Sequence, residues 1–349
     1  MNILPEDLKA AVQRGILTEA QSAQLIALAS ARQTAKAGVA SVEEPFVLFK
    51  GFNEIFVVVG LVILFIGWVG VATILGLDLD APGGVTTAAM SGLTIVGLAG
   101  IGRYFTTKRR MVAPSIALSI MTALAAIVLG FAVLGSPLWT YSGTAVSLFV
   151  AVVMTGHYWV FRIPFSAAII AGAAYYALFS TWSVRGFEAV VFGTGGQETS
   201  LIVMTIAFGL AVFGLAMRLD LSDPLRVSTR SATAFWLHVV PAPAIVNTVA
   251  LRLLADGSTV AQAGLLAFLL LIAVVAVVID RRSFLISGAG YSVALAATLF
   301  DGGAAIAILI LGLGLVLLGA GWDRLRARLM TALPDFPGKS NLPAFGVSA

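Results

Sequence analysis

His238, Pro241, Pro243 and Asn247 fall close together in one long apolar stretch, and no other part of the sequence gathers so many groups able to bind a solute or exchange a proton. A proline inside a helix removes a backbone donor and frees the carbonyl four residues back. Pro241 and Pro243 therefore release the carbonyls of Leu237 and Val239, and the helix should kink or open just past His238. Freed carbonyls beside an imidazole and an amide are the parts of a small-solute site at membrane depth, with Trp236 as a further contact. The alternative is a kinked packing helix whose carbonyls are met by Ser or Thr of its neighbours. His157, flanked by Tyr158 and Trp159, offers a second imidazole at a comparable depth. The pair reads either as proton-sensitive or ligand-contacting, or as two interfacial imidazoles in an aromatic belt. Two histidines without carboxylate or thiolate company make a poor metal site, so no metal or other cofactor is expected.

Other chemistries fail on residue type. The chain has no cysteine, which excludes disulfides, thiolate metal sites and cysteine nucleophiles. Gly193, Thr194, Gly195 and Gly196 lack the Lys-Ser/Thr of a phosphate loop, and no His-Glu-x-x-His or serine-nucleophile motif occurs. No catalytic residue is expected and the chain reads as non-enzymatic. Charged residues within the spans would be the strongest functional signal, since each is costly there. The sequence places none: Asp78, Asp301, Arg162 and Arg252 all fall at span ends.

The elements that must position these residues follow from composition. Of 349 residues 59% are hydrophobic and only 11% charged, where a soluble domain carries about 25% charged. This is an all-α polytopic membrane bundle. Ten apolar runs are long enough to be spans: Ile55 to Leu77, Gly84 to Gly102, Met111 to Leu134, Leu138 to Phe161, Ile163 to Trp182, Leu201 to Met217, Ala232 to Leu253, Ala261 to Ile279, Phe284 to Phe300, and Gly303 to Trp322. The ninth is short and Gly/Ser-rich, and only Arg162 separates the fourth from the fifth. Either place allows a re-entrant hairpin instead of full crossings.

Loop charges orient the bundle. Arg103, Lys108, Arg109 and Arg110 lead ten cations that fall in alternate loops, against Arg185 and Arg252 in the others. Cationic loops mark the cytoplasmic side, so both termini should face the cytoplasm. The same loops account for the formal charge of +4 without invoking nucleic acid. Small residues at helical spacing (Ala88, Gly92 and Gly100; Ala168 and Gly172; Gly288 and Ser292; Gly312 and Gly319) predict close helix contacts.

Outside the bundle, residues 1–45 read as a small cytoplasmic helical hairpin, its second helix opened by a capping box of Thr18 and Gln21. Two short helices are marginal alone, so this hairpin should dock on the bundle, a protein partner or a second copy. Residues 46–54 read as an interfacial lead-in, 55–322 as the bundle, and 323–349 as a basic amphipathic turn followed by an irregular tail. Arg324, Arg326 and Arg328 of that turn suit anionic lipid headgroups.

Gly15, Ile16, Leu17, Thr18, Glu19, Ala20 and Gln21, then Gly60, Gly67 and Trp68 of the first span and the basic second loop, carry a resemblance. The chain resembles a group of uncharacterised bacterial membrane proteins, a domain-of-unknown-function family in which an amino-terminal helical hairpin precedes eight to ten spans. The resemblance implies a multi-pass protein of the bacterial inner membrane and brings no catalytic residue. Two functions stay open: a membrane scaffold that binds a partner or lipid, and a transporter of a neutral or weakly polar solute at the kinked seventh span.

Overall fold

The computed structural model of the chain describes residues 52–74, 84–134, 139–180 and 199–343 apart from 225, 227 and 300–303, together with Arg14, Ile16, Thr18 and Gln21. Among the described residues the regular structure is helical throughout. The helices are α1 (Phe52–Ile74), α2 (Val85–Gly102), α3 (Val112–Leu134), α4 (Trp139–Phe161), α5 (Phe165–Ser180), α6 (Thr199–Leu221), α7 (Thr229–Val239), α8 (Pro241–Asp256), α9 (Thr259–Ile279), α10 (Ser283–Leu299), α11 (Ala304–Ala320) and α12 (Trp322–Ala332).

Each of the ten apolar runs is a helix, and the seventh is two. Among the described residues seven helical stretches are long and apolar enough to cross a membrane, with α7 and α8 counted together. The other three of the expected ten, α5, α10 and α11, have 16, 17 and 17 described residues, about 24–26 Å at 1.5 Å per residue. α4 and α5 form an antiparallel hairpin. Thr144 and Ser180 hydroxyls meet at 2.7 Å near one end, and His157 Nδ1 meets Ser166 Oγ at 3.1 Å near the other.

Two packed halves share a seam. In the first, α1, α2 and α3 close around Leu61, Leu98, Leu118 and Met121, while α3 and α4 close around Ala126, Val146, Val150 and Met154. In the second, α8, α9 and α12 bury Val246, Ile272, Ala276 and Trp322, and α8, α9 and α10 bury Ala250, Leu265, Leu269 and Leu295. Ala171 of α5, Val212 and Ala216 of α6 and Leu237 of α7 form the seam. Outward faces are strongly apolar: Phe56, Ile63 and Ile66 on α1 and Leu309 and Val316 on α11 are all exposed, as suits contact with lipid. Hydroxyls inside the helices bond back to their own turns, as Ser119 does to Ser115 O and Thr122 to Leu118 O, both at 2.8 Å, so these buried groups are paired.

Several expectations change. The Arg103–Arg110 loop is largely helix: α2 continues as a π-helix over Arg103–Lys108, and Arg109 and Arg110 alone begin the turn into α3. α1 begins at Phe52, within the expected lead-in of 46–54, and its Glu54 is buried, accepting a bond from the Ala113 amide at 3.2 Å. Gly92, Gly100, Gly172, Gly312 and Gly319 face open space. Close approaches occur at other glycines: a Cβ on Gly209 would sit 2.8 Å from Ile245 Cγ1, and one on Gly130 would sit 3.0 Å from Val146 Cγ1. The tail through Pro343 is tied down, with Lys339 Nζ donating to Leu333 O at 2.7 Å and Leu342 buried.

The Thr18 capping box forms. The Thr18 amide donates to Gln21 Oε1 at 3.0 Å and the Gln21 amide donates to Thr18 Oγ1 at 3.2 Å. The rest of the expected hairpin over 1–45 lies outside the described residues, as do the loop residues Asp78, Arg185 and Asp301.

Candidate functional site

The break in the seventh run falls where the prolines require it. α7 ends at Val239 and α8 starts at Pro241, leaving Val240 as the joint. Pro241 and Pro243 thus occupy the first turn of α8, where a missing amide hydrogen costs no helical bond.

The imidazole beside that break is already engaged. His238 is fully buried, and its Nε2 lies 2.9 Å from Asp220 Oδ2 at the end of α6. A carboxylate can only accept, so the shared proton sits on Nε2. Asp220 also takes Arg281 from the α9–α10 turn in a two-pronged pair, Nε to Oδ2 at 3.0 Å and Nη2 to Oδ1. Arg281 is fully buried and its Nη2 also donates to Ser231 O on α7 at 3.3 Å. One carboxylate therefore ties α6, α7 and the α9–α10 turn together.

A second carboxylate does the same one step along. Asp280 Oδ2 accepts from Arg226 Nη1 at 2.8 Å, and its Oδ1 accepts from Trp322 Nε1 at 2.7 Å. Arg226 Nη2 also donates to the carbonyls of Asp280 at 3.0 Å and Ile279 at 3.3 Å. Arg326 of α12 stands 4.0 Å from Asp280 Oδ1 and donates to Pro343 O at 2.8 Å. Burial pulls the Arg326 guanidinium below its ordinary value while Asp280 and Asp323 push it back up. Arg326 is therefore an internal tie, which removes it from the lipid-facing set; Arg324 and Arg328 stay exposed.

These ion pairs leave the expectation of uncharged spans standing but add to it. Asp220 and Asp280 lie just past the sixth and eighth apolar runs, which end at Met217 and Ile279, and the protein closes over both. Two signals were available. The α6 pattern continues through Arg218, Leu219, Asp220 and Leu221 with no breaker, and only three residues, Asp280, Arg281 and Arg282, join α9 to α10. Charges in so short a turn have little reach and tend to find each other.

The other candidates are placed apart. Asn247 is half-buried on α8, beyond the break. His157 is half-buried and bonds Ser166; its neighbour Tyr158 reaches α7 through Thr233 Oγ1 at 3.3 Å. Trp236 packs edge-on against Phe165 with ring centres 4.6 Å apart, and it lines a cavity of about 520 Å³.

That cavity lies between the α2–α3 turn, the α4–α5 turn and the start of α7. Its wall holds Arg110, Arg162, Thr106, Ser115 and Thr229 among apolar side chains, and no Asp or Glu. Val112, Phe165 and Thr229, the first residues of α3, α5 and α7, all line it, so the positive ends of three helix dipoles face one space. Ser228 caps α7 and Glu54 caps α3, which offsets part of that potential. Two apolar hollows of about 250 and 220 Å³ lie between α1, α2 and α3. Neither His238 nor Asn247 lines any of these three.

One backbone feature links cavity and ion pairs. Among the described residues those other than glycine with positive φ are Arg110 (51°), Arg162 (54°), Arg226 (52°) and Asp280 (57°), one in each of four successive turns at this end of the bundle. A side chain in this region costs roughly 1–2 kcal/mol, and glycine is the residue that ordinarily fills it. Four charged residues stand there instead. Among the described residues no cluster of His, Asp and Glu could hold a metal ion.

Comparison with family models, with curated proteins and with solved structures finds no match for this chain.

Proposed function

We propose that the chain is a non-enzymatic membrane scaffold that binds lipid or a protein partner, crossing the bacterial inner membrane about ten times with both termini in the cytoplasm. The observation that carries this reading is the pair of buried carboxylates that tie α6, α7, α12 and the α9–α10 turn at one end of the bundle. A protein that passes a solute must open its two ends in turn, and opening this one would strand desolvated charges. The orientation is supported by arginines at all four turns gathered here, the arrangement that cationic loops favour on the inner face. The family resemblance supports the bacterial inner membrane. The reciprocal cap at Thr18 supports a helix start in the proposed docking hairpin.

One observation favours a transporter of a neutral or weakly polar solute: the helix break at Val240 beside a buried imidazole, the build of a discontinuous span. The engagement of His238 by Asp220 weighs against it.

The test is the full chain purified in mild detergent and reconstituted in vesicles. Native mass spectrometry should find lipid or a second protein retained, deletion of residues 1–40 should release the protein partner, and glycerol should enter the vesicles no faster than in empty controls. Glycerol flux that disappears in the His238→Ala, Asn247→Ala variant would overturn the scaffold in favour of transport.

A further inference from the structure

We propose that the cavity of about 520 Å³ between α3, the α4–α5 turn and α7 binds an anionic phospholipid, its phosphate between Arg110 and Arg162 and an acyl chain along the aromatic wall. The inference rests on the membrane reading above only in placing this end of the bundle at a bilayer surface.

Charge is the first argument. Two guanidiniums line the space, no acidic side chain does, and among the described residues neither arginine has a hydrogen-bonding or ion-pair partner for its side chain. Arg226 and Arg281, a short way across α7, show how this protein treats arginines that serve as internal ties: it buries each against a carboxylate. Arg110 and Arg162 stay exposed at the cavity. They also hold left-handed backbone positions that glycine would fill without strain, so their side chains are kept against a local preference.

Shape and lining decide the kind of anion. Met111, Ile116, Phe161, Phe165 and Trp236 make the rest of the wall chiefly apolar, which a free phosphate would not use but a hydrocarbon chain would. Thr229 supplies a hydroxyl to the same wall, suited to the ester and glycerol oxygens of a headgroup, while the Thr106 hydroxyl is paired with that of Ser115 at 2.8 Å. A guanidinium pair meets a phosphate through several charge-assisted bonds, the geometry for which arginine is suited over lysine.

The experiment is native mass spectrometry of the full-length chain in detergent, with equal amounts of dioleoylphosphatidylglycerol and dioleoylphosphatidylcholine. The phosphatidylglycerol adduct should dominate. The Arg110→Gly, Arg162→Gly variant, which keeps the backbone geometry, should cut that preference by about tenfold, the scale of losing one charged contact. The Arg218→Gln variant, altering an exposed arginine that does not line the cavity, should leave it intact. Equal retention of both lipids would overturn the proposal, and so would loss of the preference in the second variant alone. Displacement of the lipid by millimolar inorganic phosphate would assign the site to a soluble anion instead. If the double glycine variant does not fold, Arg162→Gly read by the same ratio decides. Glycerol flux with the lipid preference intact would fail the scaffold and leave this site standing; the converse result would do the opposite.

Discussion

The two halves of the bundle use the same turn differently. In the first half, Arg110 and Arg162 take left-handed backbone positions after α2 and α4 and present their side chains at an open cavity. In the second half, Arg226 and Asp280 take the same conformation after α6 and α9 and are buried against each other at 2.8 Å. What differs is the company. The second half supplies Asp220 and Asp280 at the matching level, whereas no carboxylate lines the cavity of the first. A shared backbone device therefore seals one half and leaves the other able to receive an anion, and the difference lies in two acidic residues.

That contrast can be broken most forcefully at Asp220. Asp220→Ala leaves Arg281 buried without its carboxylate and should lower stability by about 3–5 kcal/mol, seen as a large fall in Tm in detergent. A fall no greater than that of a surface variant would show that the cluster does not hold the second half together. Next in size, Arg226→Gly removes backbone strain and the ion pair at once. The pair should win, with a loss of about 3 kcal/mol, so urea unfolding should shift well below wild type.

Gly209→Ala tests the packing of α6 on α8, because its new methyl would meet Ile245 at 2.8 Å. Overpacking of this kind costs about 1–3 kcal/mol by the same unfolding measurement. The smallest effect sharpens the comparison most. Arg110→Gly should change stability by no more than about 1 kcal/mol in either direction, since strain relief and glycine's chain entropy oppose each other. If it destabilised as strongly as Arg226→Gly, the two halves would not differ in the way described.

How much of this was legible beforehand varies with the range of the cause. Helix positions, the joint at Pro241 and the Thr18 cap depend on residues within a turn or two, and reading them needs only spacing. Trp236 stood out as an aromatic beside a helix break, and it does face a cavity, though with Arg110 and Arg162 as companions and without His238 or Asn247. The Asp220–His238–Arg281 tie spans 61 residues of chain between its ends, and nothing local distinguishes an acid facing water from one that a distant turn will cover. Span count rests on a different ground: hydropathy ranks α5, α10 and α11 with the rest, although their described helices hold only 16 or 17 residues each.

The joint at Val240 divides one crossing between two neighbourhoods. Above it, α7 rests on α5 and α6 through Leu237 and carries Phe235, whose ring faces Arg281 at 5.9 Å, while its neighbour Trp236 looks into the cavity. Below it, α8 is packed into the core with Ile272 and Ala276. With no amide hydrogen at Pro241 to stitch the two segments, the upper one is a short lever with a ligand surface on one side and the charged latch on the other, and whatever presses on the first is felt by the second.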